Sequence, residues 1–147
     1  MKKFLGLFWT ALLLVVVGCG NGNVSLNGRV TFSDDGSPVT AGTVCFVKDT
    51  FQATGKLNSS GYYVVGTMKS TDGIPAGVYK VYIADAKKQI GTQKVQQVET
   101  DGSTKEVDEP IYEILVDKKF SSSETSGLTF EVKGDSSFDF KVDRFKP

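Results

Sequence analysis

The hydrophobic positions of this chain fall into two regimes. From Phe4 to Val17 they form a 14-residue apolar run behind Lys2 and Lys3. Crossing the hydrocarbon layer takes about 20 apolar residues, so a shorter run behind two positive charges is read as a cleaved export signal. Beyond it the pattern changes to period two, and helical spacing is hard to find. Val24, Leu26, Val30 and Phe32 share one side of a strand whose other side carries Ser25, Arg29 and Thr31. Val44 and Phe46 continue the inward set. Tyr79, Val81 and Ile83 alternate with Val78, Lys80 and Tyr82. Leu128, Phe130 and Val132 alternate with Thr129, Glu131 and Lys133, and Phe138, Phe140 and Val142 with Asp139, Lys141 and Asp143. Tyr62 to Met68 is aromatic and β-branched, a composition that suits a pleated, half-buried surface.

Turn chemistry separates these runs. Asp34-Asp35-Gly36-Ser37-Pro38, Asn58-Ser59-Ser60-Gly61, Ile74-Pro75-Ala76-Gly77 and Gly134-Asp135-Ser136-Ser137 are breaker clusters. Lys48-Asp49-Thr50 makes a short hairpin connection into Phe51 through Leu57. About seven to eight short strands with frequent turns predict an all-β fold, an antiparallel two-sheet sandwich of transthyretin-like or immunoglobulin-like kind. The polar segment from Asp85 to Pro110 is the least regular. A structureless loop of that length is unusual in a compact domain. Val95, Val98 and Val107 flank Asp101-Gly102, which predicts an excursion hairpin there. Ile111 to Val116 has strand composition without an assigned partner.

The end of the apolar run carries a specific chemistry. Val16-Val17-Gly18-Cys19 resembles the processing site of bacterial lipoproteins. The resemblance implies that the Cys19 thiol takes a diacylglycerol and that cleavage then frees its amine for a further acyl chain such as palmitate. Residues 1–18 are then the lipoprotein signal peptide, 19–23 the lipidated cysteine and a short tether, and 24–147 the β-sandwich domain. One short acyl chain holds a protein only marginally, whereas more than one anchors it stably at about 0.8 kcal/mol per buried methylene. Four residues, Gly20 to Asn23, reach roughly 14 Å when extended, so the domain is expected close to the membrane face. Gly20 stands where aspartate signals inner-membrane retention in enterobacteria. The expected location is the bacterial cell envelope, lipid-anchored on the periplasmic or outer-membrane face.

Composition narrows the chemistry. Without residues 1–18 the chain has 129 residues, 15 of them basic and 17 acidic, a net charge of −2. The charges are interspersed, and no basic patch points to nucleic acid. Histidine is absent from all 147 residues. That removes the commonest general base and the commonest metal ligand. Once Cys19 is acylated, Cys45 stands alone, so no internal disulfide can form. Its expected role is a small apolar filler on a strand. No cofactor, metal or catalytic residue is expected.

Three stretches together resemble a known group. They are Gly28-Arg29-Val30-Thr31-Phe32 through Gly36-Ser37-Pro38-Val39 into Gly42-Thr43-Val44-Cys45-Phe46, then Gly73-Ile74-Pro75-Ala76-Gly77-Val78-Tyr79-Lys80-Val81, then Lys118-Lys119-Phe120 through Glu124-Thr125-Ser126-Gly127-Leu128-Thr129-Phe130-Glu131-Val132. The set is similar to the small lipid-anchored or secreted proteins abundant in planctomycetes that carry a carboxypeptidase regulatory-like, transthyretin-like domain. The resemblance spans roughly Val24 to Val142 and implies an accessory sandwich without an active site. Cys45 departs from the polar residue usual at its place, and Lys87 to Glu109 matches nothing in the group. The transthyretin-like enzymes that hydrolyse 5-hydroxyisourate depend on histidines and a basic C-terminal tetrapeptide. This chain has no histidine and ends Phe145-Lys146-Pro147.

The remaining polar clusters have plain readings. Asp34 and Asp35 beside Gly36 offer oxygens to calcium, yet adjacent aspartates there more often form a hairpin tip. Ser121-Ser122-Ser123 lacks a histidine base and is read as a solvated loop. Lys118 and Lys119 beside Phe120 would cover an apolar strand with their methylene stems. Tyr63 and Tyr82 have alternation partners that suggest an outward face and are the candidate glycan-stacking residues. The function expected from the sequence is that of a non-enzymatic envelope protein with a structural or interaction role. Its membrane partner is reached through acyl chains on Cys19. The alternative is a binding module for a glycan or an envelope protein, with the long excursion as its contact surface.

Overall fold

The computed structural model describes residues 22–69 and 71–147. The signal run and Cys19 lie outside the described residues. The architecture is a β-sandwich, 57% strand and 3% helix among the described residues, as the period-two alternation predicts. Among the described residues there are twelve strands: β1 (Asn23–Val24), β2 (Leu26–Phe32), β3 (Thr43–Lys48), β4 (Phe51–Lys56), β5 (Tyr62–Val64), β6 (Ile74–Pro75), β7 (Gly77–Ala84), β8 (Lys87–Val98), β9 (Thr104–Ile114), β10 (Leu128–Val132), β11 (Ser136–Ser137) and β12 (Phe140–Val142). The number exceeds the expected seven to eight because three strands are two-residue pieces and β8 and β9 form a separate ribbon.

One layer is antiparallel throughout, in the order β10–β7–β3–β4. The hairpin between β3 and β4 turns at Asp49, which takes a positive φ of 53°. Asp adopts that left-handed conformation more readily than most residues. The other layer is built on β2. Along one edge β5 pairs with it antiparallel, Gly28 facing Tyr63. Along the other edge β11 and then β12 run parallel to it, Ser136 facing Leu26 and Phe140 facing Val30. The sandwich is therefore not antiparallel everywhere. Alternation gives the face of a strand and not its direction, so the parallel C-terminal strand could not be read from spacing.

The inward residues of both layers meet in one core. Leu26, Val30 and Phe32 face Val44, Phe46, Tyr79, Val81 and Ile83, with Tyr63, Val65, Phe140 and Val142 closing the sides. Phe46 lies at its centre, its ring 6.2 Å from Tyr63, 6.4 Å from Tyr79 and 6.4 Å from Phe138. Tilted and edge-on pairs of this kind contribute about 0.5–1.5 kcal/mol each beyond the area they bury. A short 3-10 turn, Lys118–Ser121, adds Phe120 to the core and is capped by Asp117, whose carboxylate accepts from Lys119 N at 2.9 Å. Ser126 is buried, and its hydroxyl donates to the Val81 carbonyl at 2.5 Å. That bond fixes the approach to β10 and gives the Thr125-Ser126-Gly127 stretch a structural purpose.

Candidate functional site

Tyr63 is not an outward residue. It is 1% exposed, stands in the core against Phe46 and Phe140, and donates its hydroxyl to the Phe138 carbonyl at 2.6 Å. Burial pushes that hydroxyl far above its ordinary pKa. Its neighbour Tyr62 takes the exposed face instead. Two adjacent tyrosines fit either register, and the hydroxyl's partner 75 residues away decides which one turns in. The glycan-stacking expectation for Tyr63 is withdrawn on this geometry.

Tyr82 does face outward from β7 and is half-buried. It lines an open hollow of about 320 Å³ with Val47, Gln52 and Ser121 to Glu124. Burial raises the Tyr82 hydroxyl above its usual pKa. The three serines of this rim are used locally. Ser121 Oγ donates to the Lys118 carbonyl at 2.6 Å, and Ser122 and Ser123 both donate to Glu124. Cys45 shares the outer face of β3 with Val47, yet it is buried, and burial pushes its thiol pKa up. It fills space on a strand, as composition suggested.

The polar clusters at the C-terminal side are clamps. Arg144 Nε binds Asp34 at 2.8 Å, its Nη2 binds Asp35 at 2.8 Å and Ser37 Oγ at 2.6 Å, and its guanidinium lies 3.8 Å over the Phe32 ring. Both aspartates of the hairpin tip are thus engaged by a cation. Ser37, then Arg144, hold the Asp35 carboxyl down at about 2. Lys119 pairs with Asp143 and lies over the Phe120 ring. Among the described residues no three His, Cys, Asp or Glu side chains converge. One further cap had no sequence signal: Asp72 accepts from Thr67 N and Oγ1, Met68 N and Lys69 N, which holds its carboxyl well below the usual range.

The largest unassigned feature is the ribbon of β8 and β9. It begins where Asp85, at φ 51°, swings the chain off the end of β7. Leu115 N donates to the Ala86 carbonyl at 2.9 Å and closes its base. From there twelve residues of β8 run out, roughly 40 Å at about 3.4 Å each, and eleven of β9 return. The turn is at Asp101-Gly102, with Gly102 at φ 84° and Asp101 accepting from Ser103 N at 2.9 Å. This is the hairpin that the flanking valines predict. It extends further than expected, because Ile111 to Ile114 supply the end of β9.

The two strands pack on each other and not on the sandwich, so both faces meet solvent. Val95 faces Val107 and Gln93 faces Glu109 on one side. On the other, Lys94 pairs with Glu106 at 2.6 Å and Lys87 lies 4.9 Å over the Tyr112 ring. These are exposed contacts, each worth little. Ile90, Val98, Ile111, Tyr112 and Ile114 remain exposed along the ribbon. A lone two-stranded hairpin is marginally stable in water, so an exposed one of this length is a candidate for contact with something else.

No family model matches the chain, and no curated protein matches it. Among solved structures, a 9R-lipoxygenase from Cyanothece PCC8801 superposes with a TM-score of 0.33 at 12% identity, covering 82% of this chain and 16% of that one. A superposition so loose carries no argument about fold or activity.

Proposed function

We propose that this protein is a lipid-anchored, non-enzymatic component of a bacterial envelope that works by interaction. Its acyl chains sit on Cys19, and its domain is of the carboxypeptidase regulatory-like, transthyretin-like kind. The observation that carries the reading is the β8–β9 ribbon, long, apolar in places and unburied on both faces. Loops and extensions on a rigid sandwich are the usual place for binding. The absence of histidine supports the non-enzymatic part. The 14-residue apolar run followed directly by Gly18-Cys19 supports the anchor and the envelope location.

Two experiments test the two halves separately. Metabolic labelling with a fatty acid is expected to mark the chain and to vanish in Cys19→Ser; label that survives the substitution contradicts the anchor. For the ribbon, the hydrogen bond between Ala86 and Leu115 lets a two-residue turn replace Lys87 to Ile114. That deletion is expected to keep the β-type circular dichroism and to abolish cross-linking to neighbours in intact cells. Unchanged cross-linking contradicts the docking role. A second reading has its own observation, the Tyr82 hollow with Gln52 and Glu124 at its rim. A glycan ring stacked there predicts that Tyr82→Ala loses retention on a glycan array, and no retention by the unsubstituted chain removes it.

A further inference from the structure

We propose that the free edge of β8 pairs with the same edge of a second copy of this chain, antiparallel and centred on Val95. The inference rests on the ribbon being the interacting part and takes nothing from the anchor at Cys19.

Backbone geometry identifies the open edge. Pro110 continues the ladder opposite Thr92, although it has no N–H. That pair must therefore be one of the ladder's non-hydrogen-bonded pairs. Such pairs alternate with bonded ones, so Lys94–Asp108, Gln96–Glu106 and Val98–Thr104 are of the same type. Glu99 N donates to the Ser103 carbonyl at 2.8 Å, which puts the odd-numbered residues of β8 in bonded pairs and agrees. The N–H and C=O groups of Thr92, Lys94, Gln96 and Val98 then point away from β9. Among the described residues no strand pairs with them.

The two edges of the ribbon differ. On β9, Pro110 deletes an outward donor, and Glu106, Asp108 and Glu109 crowd one sign of charge along the strand. Proline and charge are the usual means of blunting an edge. On β8, Gly91 to Val98 contains no proline and one charge, Lys94. Only that edge is left able to accept a strand.

The sequence along it is complementary to itself. With Val95 opposite Val95 of the second copy, Lys94 faces Gln96, Gln93 faces Gln97 and Thr92 faces Val98. No like charges are opposed. Because Val95 already faces Val107, the pairing makes one apolar row of Val107, Val95, Val95 and Val107 across four strands. Centring on Lys94 would oppose two lysines, and centring on Gln96 would split the valine row. The antiparallel arrangement also brings the basic base of each ribbon, Lys87 and Lys88, beside the acidic tip of the other, Glu99 and Asp101. The contact is isologous and closes as a two-fold dimer, the commonest symmetry.

Covalent trapping in the purified full chain tests this. Val95 would occupy a non-hydrogen-bonded pair with its counterpart, where Cα atoms lie about 4.5 Å apart, within disulfide reach. Thr92 would lie roughly 20 Å from its own counterpart, out of reach. Mild oxidation is expected to link Val95→Cys into dimers at least tenfold more than Thr92→Cys or the unsubstituted chain. Adding Gln96→Pro removes an outward N–H just as Pro110 does on β9, and is expected to abolish the trapping while circular dichroism stays unchanged. Equal trapping at both positions, no trapping at Val95→Cys, or trapping that survives Gln96→Pro overturns the proposal. A ribbon that has come apart would trap both or neither and so counts against it too. If deleting the ribbon removes cross-linking in cells while Val95→Cys stays monomeric, the docking arm stands and the second copy is discarded as its occupant.

Discussion

Tyr63 ties three segments with one side chain. Its ring fills the space beside Phe46, and its hydroxyl crosses to the Phe138 carbonyl past Gly28. Tyr63→Phe keeps the ring and leaves that carbonyl without its donor. The expected cost is about 1–2 kcal/mol, read as a lower urea midpoint. The sequence marked Tyr63 as notable and put it on the wrong face, because a local period of two cannot see a partner on another strand. Cys45 was legible as filler. Its thiol, buried and pushed up in pKa, is expected to react with a thiol reagent only after denaturation, measured in a Cys19→Ser chain. The carboxyls of Asp35 and Asp72 release their protons more readily in the fold than in the unfolded chain. What they add to stability is complete above about pH 4 and drains as pH falls, for Asp35 through about 2. The urea midpoint should drop over that window, and Asp72→Asn should flatten the drop.

At the scale of elements, the C-terminal strand shows what alternation can and cannot give. Phe138, Phe140 and Val142 face inward as their spacing says. Their parallel course beside β2 depends on contacts that spacing does not encode. Arg29 N donates to the Asp139 carboxylate at 2.8 Å where the backbone ladder breaks between β11 and β12, and Ser25 N donates to Asp135 at 2.7 Å just ahead of β11, so two side chains complete the edge where the ladder leaves it open. Gly28 permits the close approach: a Cβ there would stand 2.1 Å from the Phe138 carbonyl oxygen. Gly28→Ala must push the two strands apart, and a loss of about 3 kcal/mol or more is expected in denaturant unfolding. Val95, Val107 and Asp101-Gly102 made the ribbon legible as a hairpin. Its full length was not, since polar strands exposed on both faces carry too few apolar positions to set a period.

The whole molecule is a packed sandwich with an outlying ribbon joined through Asp85, Ala86 and Leu115. The sandwich holds the core, so its stability should not depend on the ribbon. Removing Lys87 to Ile114 is expected to change stability by less than about 1 kcal/mol, or roughly 5 °C in a thermal melt. On this account the sandwich is a mount and the ribbon edge is the working surface. Residue-resolved amide exchange on the full chain, at low and at high protein concentration, tests that most directly. The account predicts that Gln93, Val95 and Gln97, held by β9, exchange more slowly than their even-numbered neighbours in dilute solution. The amides of Thr92, Lys94, Gln96 and Val98 should be fast when dilute and slow when concentrated. If those four remain fast at every concentration, the edge of β8 takes no second copy and the central claim fails.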